Sequence, residues 1–543
     1  MPEAAREYCE YHTGIADTSF IVFMRQSVVS SQKSSVVTSL WPRWRSLSAA
    51  LALSFVVLPF AVAPHFSAAQ TLPALGDTER EGLSPLMERK LGEQIMRDIR
   101  CDPDYLDDGP LLEYLNDFGA ALVSVYPDVR GEGGYDFFFF AVRDPVLNAF
   151  ALPGGFIAVH SGLLLAAQSE SELASVLAHE IGHVAQRHIA RMIGQQKQNS
   201  MIQLAAVVLG ALAGVSKAGS DVAMATLLGG TGMAEQRQLN FSRDAEREAD
   251  RIGLQILRDG GFDTSGMVAF FGRLQSASRN FSDVLPPYLQ THPLTTERMA
   301  DIQARIRDQR YQQHAENPDF QLIRARVRLL QDNSAQGLRD AQVYFESQLR
   351  QNSNMQTMAS KYGLAYAAYL QRSYDKAENL LQEARSAALQ SMAPSILLDN
   401  LDIDIKMAKR HNEQALKAAD TLRKQFPISR VAARQYAEAL IASRHYDQAV
   451  AYLRDQAQLY RQEVAVQDLL ARAYSGQGRQ ALQHMALAES YVLSGSLPAA
   501  LDQLGIARKA PDAGFYEQAI IDARERELKE LWQNGSMQHG FGK

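Results

Sequence analysis

Two histidines four residues apart, His179 and His183, enclose a glutamate, Glu180, in the run HEIGH. On a helix that spacing puts both imidazoles on one face, where they can share one Zn2+ ion. Glu180 then stands beside the ion. It can take a proton from a water the ion activates and pass it to a leaving amine. The chemistry indicated is hydrolysis of a peptide bond. The chain holds 12 histidines, and three of them, His179, His183 and His188, crowd one predicted helix. Apolar Leu173, Val176, Leu177, Ile181 and Val184 bracket the motif, so the site should sit against a core.

Zinc needs a third protein ligand. His188 follows His183 at the wrong spacing for a metzincin, and the glycine of that pattern is missing from the run VAQRHI. The ligand should therefore come from a later helix. Arg243 to Gly253 reads RDAEREADRIG and offers Glu246, Glu248 and Asp250. Helical spacing places Glu246 and Asp250 on one face and turns Glu248 away. Glu246 is the expected ligand, and Asp250 the expected acceptor for a ligating histidine. His292, by itself, is a lone histidine before a proline, as compatible with a structural role as with a functional one.

The elements that must carry these residues are mostly helical. Apolar spacing predicts helices within 83–130, around Leu91, Ile95, Leu111, Leu115 and Leu122. Tyr135 to Val142 and Phe156 to Val159 read as strands, the second after the turn Pro153-Gly154-Gly155. The motif helix opens on Ser169 with Glu172 in a capping-box pattern and should run to about Met192. Met201 to Val215 is apolar on all sides but short for a bilayer span. It reads as a buried helix or as a surface element touching membrane or unfolded client. Helix resumes near Asp244, is interrupted at Pro293, and returns over Thr296 to Arg307.

Composition agrees with soluble globular domains: 46% hydrophobic and 21% charged residues. The net charge of -6 gives no basic field for nucleic acid. Two cysteines, Cys9 and Cys101, rule out a disulfide framework and a cysteine-rich zinc site. Arg43 and Arg45, an apolar run from Leu47 to Val62 and Ser67-Ala68-Ala69 form a signal-peptide pattern with cleavage after Ala69. That implies secretion to the periplasm and leaves Cys101 alone, which then needs burial. The leader before Arg43 is long, and Met24 is a second candidate start.

Past the polar stretch 311–318 the chain repeats. Ala437 and Ala471 are 34 residues apart, as are Ala415 and Ala449, whereas Ala471 and Ala488 are separated by half that period. A 34-residue helix–turn–helix period with small residues at the crossings is that of tetratricopeptide repeats, and about four to five units are expected. Stacked units make a concave surface suited to a partner. The expected fold is mainly α: a leader over 1–69, a zinc metallopeptidase domain with a small β-sheet over 70–315, and an α-solenoid of tetratricopeptide repeats over 319–535.

HEIGH followed by E-x-E-A-D-x-x-G resembles the HtpX and CAAX prenyl protease family of gluzincin metallopeptidases. Asn148 to Gly155 (NAFALPGG), Ser161-Gly162-Leu163-Leu164, and Thr291-His292-Pro293 with Arg298 are similar to further motifs of that family. The signal peptide and repeats narrow the resemblance to its secreted, repeat-bearing branch. The resemblance implies one Zn2+ per chain, with Glu246 as third ligand. It implies that His292 can take the fourth zinc position and hold the enzyme latent, or help stabilise the oxyanion, with Arg298 assisting. It also implies action on misfolded or stalled outer-membrane β-barrel proteins, with the repeats docking on the barrel-assembly machinery or the client. Two other readings stand beside this one. One is a repeat-based chaperone or scaffold with minor proteolysis. The other is a protease anchored in the membrane through 47–62 or 201–215.

Overall fold

In a computed structural model of the chain, the described residues are 83–130, 134–194, 243–280, 287–307, 314–351, 354–388 and 394–540. The leader with its cleavage site and the apolar run 201–215 lie outside them. Among the described residues no helix is long and apolar enough to cross a membrane.

The chain opens with α1 (Pro85–Cys101) and α2 (Gly109–Ser124). Each has proline in its first turn and a side-chain cap, Ser84 or Asp108. Cys101, which the secreted reading would bury, is half-buried at the end of α1.

Three short strands follow: β1 (Phe138–Val142), β2 (Ala149–Leu152) and β3 (Phe156–His160), in the order β1-β3-β2. β3 is central and fully buried, parallel to β1 and antiparallel to β2. β1 starts three residues later than the aromatic run suggests. β2 was not expected, because four residues are too few to display an alternation. Its hairpin to β3 turns on Gly154 and Gly155, at φ 81° and 90°, where a side chain would strain the backbone.

The short helix α3 (Ser161–Ala166) leads into α4 (Glu170–Ala185), which carries the HEIGH motif. Ser169 Oγ caps α4 by accepting from the Glu172 N–H at 3.3 Å. The Glu172 carboxylate reaches Gln168 N, one residue short of the expected reciprocal bond, and pairs with Arg273. Every residue of α4 from Glu170 to Val184 is buried, as befits a helix through the middle of a domain. Leu173, Val176, Leu177 and Ile181 are fully buried, each contributing roughly 1.5–3 kcal/mol. The helix stops short of Met192. Arg187, at φ 51°, breaks it, and α5 (His188–Gly194) sets off in a new direction. Arg187 is held there by Glu88 and by the Leu83 carbonyl.

The remaining peptidase helices among the described residues are α6 (Arg243–Asp259), α7 (Ser265–Asn280), α8 (Pro287–Thr291) and α9 (Thr296–Arg307). Six helix pairs follow among the described residues, more than the four to five units expected: α10 (Pro318–Gln331) with α11 (Ala335–Gln348), α12 (Asn354–Leu370) with α13 (Tyr374–Ala387), α14 (Ile396–Ala408) with α15 (Asn412–Gln425). Beyond these come α16 (Arg430–Ala442) with α17 (Tyr446–Leu459), α18 (Val464–Gly476) with α19 (Gln480–Leu493), and α20 (Leu497–Lys509) with α21 (Phe515–Gly540).

One turn recurs through this helical repeat. Arg372, Arg410, Arg444, Gly478 and Gly495 all adopt positive φ, and the next residue donates its N–H to a carbonyl five positions back. This is a Schellman termination. Gly495 follows Gly478 by half a period, so α19 serves two successive hairpins, which explains the short step from Ala471 to Ala488. The first pair, α10 with α11, and the last, α20 with α21, lack the turn. One hydrophobic core runs from Leu106 through the peptidase elements to Ile405 of α14, so the two regions share an interior.

Candidate metal centre

Two helices build the site by crossing at very short range. A Cβ on Gly182 of α4 would stand 3.0 Å from the backbone of Ala249 on α6, and one on Gly253 of α6 would stand 3.2 Å from His179 N. The two glycines therefore let α4 and α6 touch nearly backbone to backbone. That contact puts the acidic face of α6 against both motif histidines. α8 closes the opposite side with His292, whose N–H is tied to the Tyr288 carbonyl at 2.8 Å.

His179, His183, Glu246 and His292 converge, with one ligand atom from each lying within 4.8 Å of the others, and all four are buried. His179 Nε2 and His183 Nε2 are 3.0 Å apart. Each is 3.5 Å from an oxygen of Glu246, Oε2 and Oε1 respectively. His292 Nδ1 lies 3.0 Å from Glu246 Oε1, and its Nε2 is 3.7 Å from Glu180 Oε1. Behind this cluster, His179 Nδ1 is 3.0 Å from Asp250 Oδ1. Arg298 holds Asp250 with two bonds of 2.8 Å, donates to the Pro293 carbonyl at 2.9 Å, and places Nη1 2.7 Å from Glu246 Oε2. Arg298 thus supports the acidic helix face and the His292 loop together.

Burial dominates the electrostatics. It drives His183 well below its ordinary pKa, with the neighbouring histidines adding to the effect, which favours the neutral imidazole that a metal ligand requires. Burial also lowers His179, but its bonds to Asp250 and Glu246 outweigh that and raise it to about 9. Glu246 is desolvated too, yet His292 and His179 hold its carboxyl well below the usual range. Glu180 goes the other way: burial raises it, against the pull of His292 and His179.

This chain matches the model of peptidase family M48 over residues 128–306. It is 32% identical to the β-barrel assembly-enhancing protease of Yersinia pestis over 85% of this chain and 92% of that one. The protein of the same name from Escherichia coli strain K12 is 32% identical over 87% of this chain and 94% of its own. Metalloprotease YcaL of the same strain is 31% identical over 30% of this chain and 58% of its own. The chain belongs to peptidase family M48.

An M48 chain is a metalloprotease, and the residues present fit the ion this implies. Neighbouring donors around a tetrahedral ion with bonds near 2 Å stand roughly 3.3 Å apart. Separations of 3.0–3.5 Å among His179, His183 and Glu246 match that spacing. The Glu180 carboxylate adds a fitting detail. One side accepts from the Ala151 N–H of β2, while Oε1, fully shielded from solvent, has no hydrogen-bond partner.

The sequence-predicted residues thus come together, with Glu246 and Asp250 on the shared face as spacing suggested. Two participants were missed. Ala151 binds Glu180 through its backbone, which no side-chain pattern reveals. Tyr288 is buried, with its ring centroid 4.8 Å from that of His292 and its hydroxyl unpartnered. Its position four residues before His292 was the available signal.

Proposed function

We propose that this chain is a zinc endopeptidase of the bacterial periplasm that acts in the assembly and quality control of outer-membrane β-barrel proteins. His179, His183 and Glu246 hold the ion, which when bound supplies Lewis acidity toward the scissile carbonyl and the attacking water. Glu180 takes the water proton at Oε1 and delivers it to the amine nitrogen as the peptide bond breaks. A carboxyl with raised pKa suits both halves of that transfer. The single observation carrying this reading is the unpartnered, buried Glu180 Oε1 beside four converging donors.

The peptide would enter along β2. The His160 N–H donates to the Asn148 carbonyl at 3.0 Å, so the alternate residues Ala149 and Ala151 turn their backbone groups away from β3; the Ala151 N–H is taken by Glu180, which leaves the Ala149 N–H and the two carbonyls for an incoming chain. An extended segment can pair there. His292 serves as a latch. With its ring among the donors, His292 would hold the place that an attacking water needs beside the ion. Release of the α8 segment opens the site, and Arg298, bonded to the Pro293 carbonyl, anchors that segment. The barrel-protein clientele rests on the name of the relatives, periplasmic location on the leader, and docking on the assembly machinery on the tetratricopeptide-like hairpins.

Zinc content and casein hydrolysis of the chain from Gln70 onward test this reading. Wild type is expected to bind one zinc; Glu180→Gln to keep it and lose hydrolysis; His292→Ala to cut faster. A slower His292→Ala makes that histidine catalytic and removes the latch. Should Glu180→Gln retain every cellular function of the wild type, the repeat-based chaperone becomes the better account.

A further inference from the structure

His183 is connected to the protein surface through two side chains that the mechanism above does not use. The helix break at Arg187 turns the chain so that His188 comes back against His183, with the two Nδ1 atoms 2.8 Å apart. On its other side His188 Nε2 lies 3.1 Å from Glu248 Oε2 on α6. His188 is 4% exposed, whereas the Glu248 side chain is 41% exposed and also meets Arg191 Nη2 at 3.4 Å.

Hydrogen-bond accounting fixes the protons along this line. His183 turns Nε2 into the donor cluster, so a neutral ring carries its proton on Nδ1. That proton must be donated to His188 Nδ1. The His188 proton is then on Nε2 and is donated to the Glu248 carboxylate. Each of the two rings has one donor and one acceptor, and both are used. His188 cannot itself be a ligand in this arrangement, because Nδ1 is committed to His183 and Nε2 to Glu248.

We propose that His188 and Glu248 form a positioning relay that holds His183 in the tautomer and orientation a metal ligand needs. The inference rests on the metal-site reading above. It gives the acids of α6 three separate tasks: Glu246 in the cluster, Asp250 behind His179, and Glu248 behind His183 through a second imidazole. The two ligand histidines are therefore supported unequally. The partner of His179 is a buried carboxylate gripped by Arg298. The line from His183 is longer and ends in solvent.

The test measures zinc affinity by chelator competition, and the visible spectrum after Co2+ substitution, for wild type, His188→Leu, His188→Asn and Glu248→Leu in the full chain. An outer-shell partner of a ligand histidine is worth about 10–100-fold in metal affinity. His188→Leu is expected to lose that much and to shift the Co2+ bands. His188→Asn, whose amide oxygen can accept from His183 Nδ1, is expected to recover most of both. Glu248→Leu lies at the surface, should fold, and is expected to show a smaller loss in the same direction. It carries the test if His188→Leu does not fold. Wild-type affinity and spectrum in His188→Leu, or in Glu248→Leu where only that variant folds, overturn the relay and leave the metal site standing. Equal weakness of His188→Asn and His188→Leu also overturns it, since packing of the ring would then be the cause. A wild type that binds neither Zn2+ nor Co2+ removes the site reading and the relay with it.

Discussion

Arg326 of α10 and Asp108 ahead of α2 meet in a two-pronged ion pair, Nε to Oδ1 at 2.8 Å and Nη2 to Oδ2 at 2.9 Å. The pair joins the first repeat helix to the peptidase fold. Asp108 also caps α2 through the Leu111 N–H, and Arg326 donates to the Tyr362 hydroxyl at 3.0 Å. Arg326 is 5% exposed, so Arg326→Leu leaves a nearly buried carboxylate without its partner. The expected loss of stability is about 3–5 kcal/mol, read by chemical denaturation. A loss below about 1 kcal/mol would mean that the shared apolar core alone holds the two regions together.

Gly182 is the unspecified residue next to the second histidine of HEIGH, yet at the crossing with α6 a methyl group there would press on the Ala249 backbone at 3.0 Å. Gly182→Ala needs the Ala249 backbone to give by a few tenths of an ångström, a shift that reaches Glu246 and Asp250 on the same helix. A displacement of about 1 Å at a catalytic constellation costs on the order of 100-fold in rate, so a shift of a few tenths of an ångström costs roughly a severalfold loss. Gly182→Ala is therefore expected to hydrolyse roughly severalfold more slowly and to bind zinc more weakly. Gly272→Ala, where a Cβ meets open space, should change neither. Equal activity in both variants would show that the helices separate without harm to the site.

Much of this site was legible because its chemistry is helical. His179 with His183 and Glu246 with Asp250 are both i, i+4 pairs, and period alone puts each pair on one face. Glu248 was set aside by the same rule, since it is turned off the face that spacing selects, and His188 because it follows His183 at the wrong spacing for a metzincin ligand. Only the left-handed residue at Arg187, which nothing in its side chain announces, brings His188 back under His183. β2 was hidden for another reason: its contribution to the site is a backbone N–H. In the repeats, alanine spacing revealed the period, but the half-step at Gly495 follows from turn geometry.

Three hairpin turns of the repeats hold arginine in the left-handed region: Arg372 at φ 59°, Arg410 at 61° and Arg444 at 62°. The equivalent position one period on is Gly478, at 72°. A side chain in this conformation costs roughly 1–2 kcal/mol, partly offset because glycine gains freedom in the unfolded chain. Arg410→Gly and Arg444→Gly are each expected to stabilise by about 0.5–1 kcal/mol and to raise the unfolding midpoint by roughly 1–3 °C. Calorimetry checks this. A lowered midpoint would mean that the arginine side chains make contacts outweighing the backbone cost.

Asp404 of α14 is half-buried near Arg326, Gln435, Glu438 and Asp108, and desolvation raises its carboxyl from 3.8 to about 7 against the pull of Arg326 and the Gln435 bond. Gln435 Nε2 donates to Asp404 Oδ1 at 2.9 Å, a bond an asparagine oxygen would also accept. Between the ordinary value and 7, the folded chain keeps this proton while the unfolded chain has lost it. Raising the pH through that window therefore costs stability, and the cost levels off above about 7. Asp404→Asn removes the titration. The variant should match wild type near pH 4, and its advantage should grow with pH to a plateau on the order of a few kcal/mol. Denaturation of both proteins from pH 4.5 to 8 gives the difference directly. A difference that stays flat over that range would show that Asp404 is already ionised in the folded chain, with Arg326 compensating its charge.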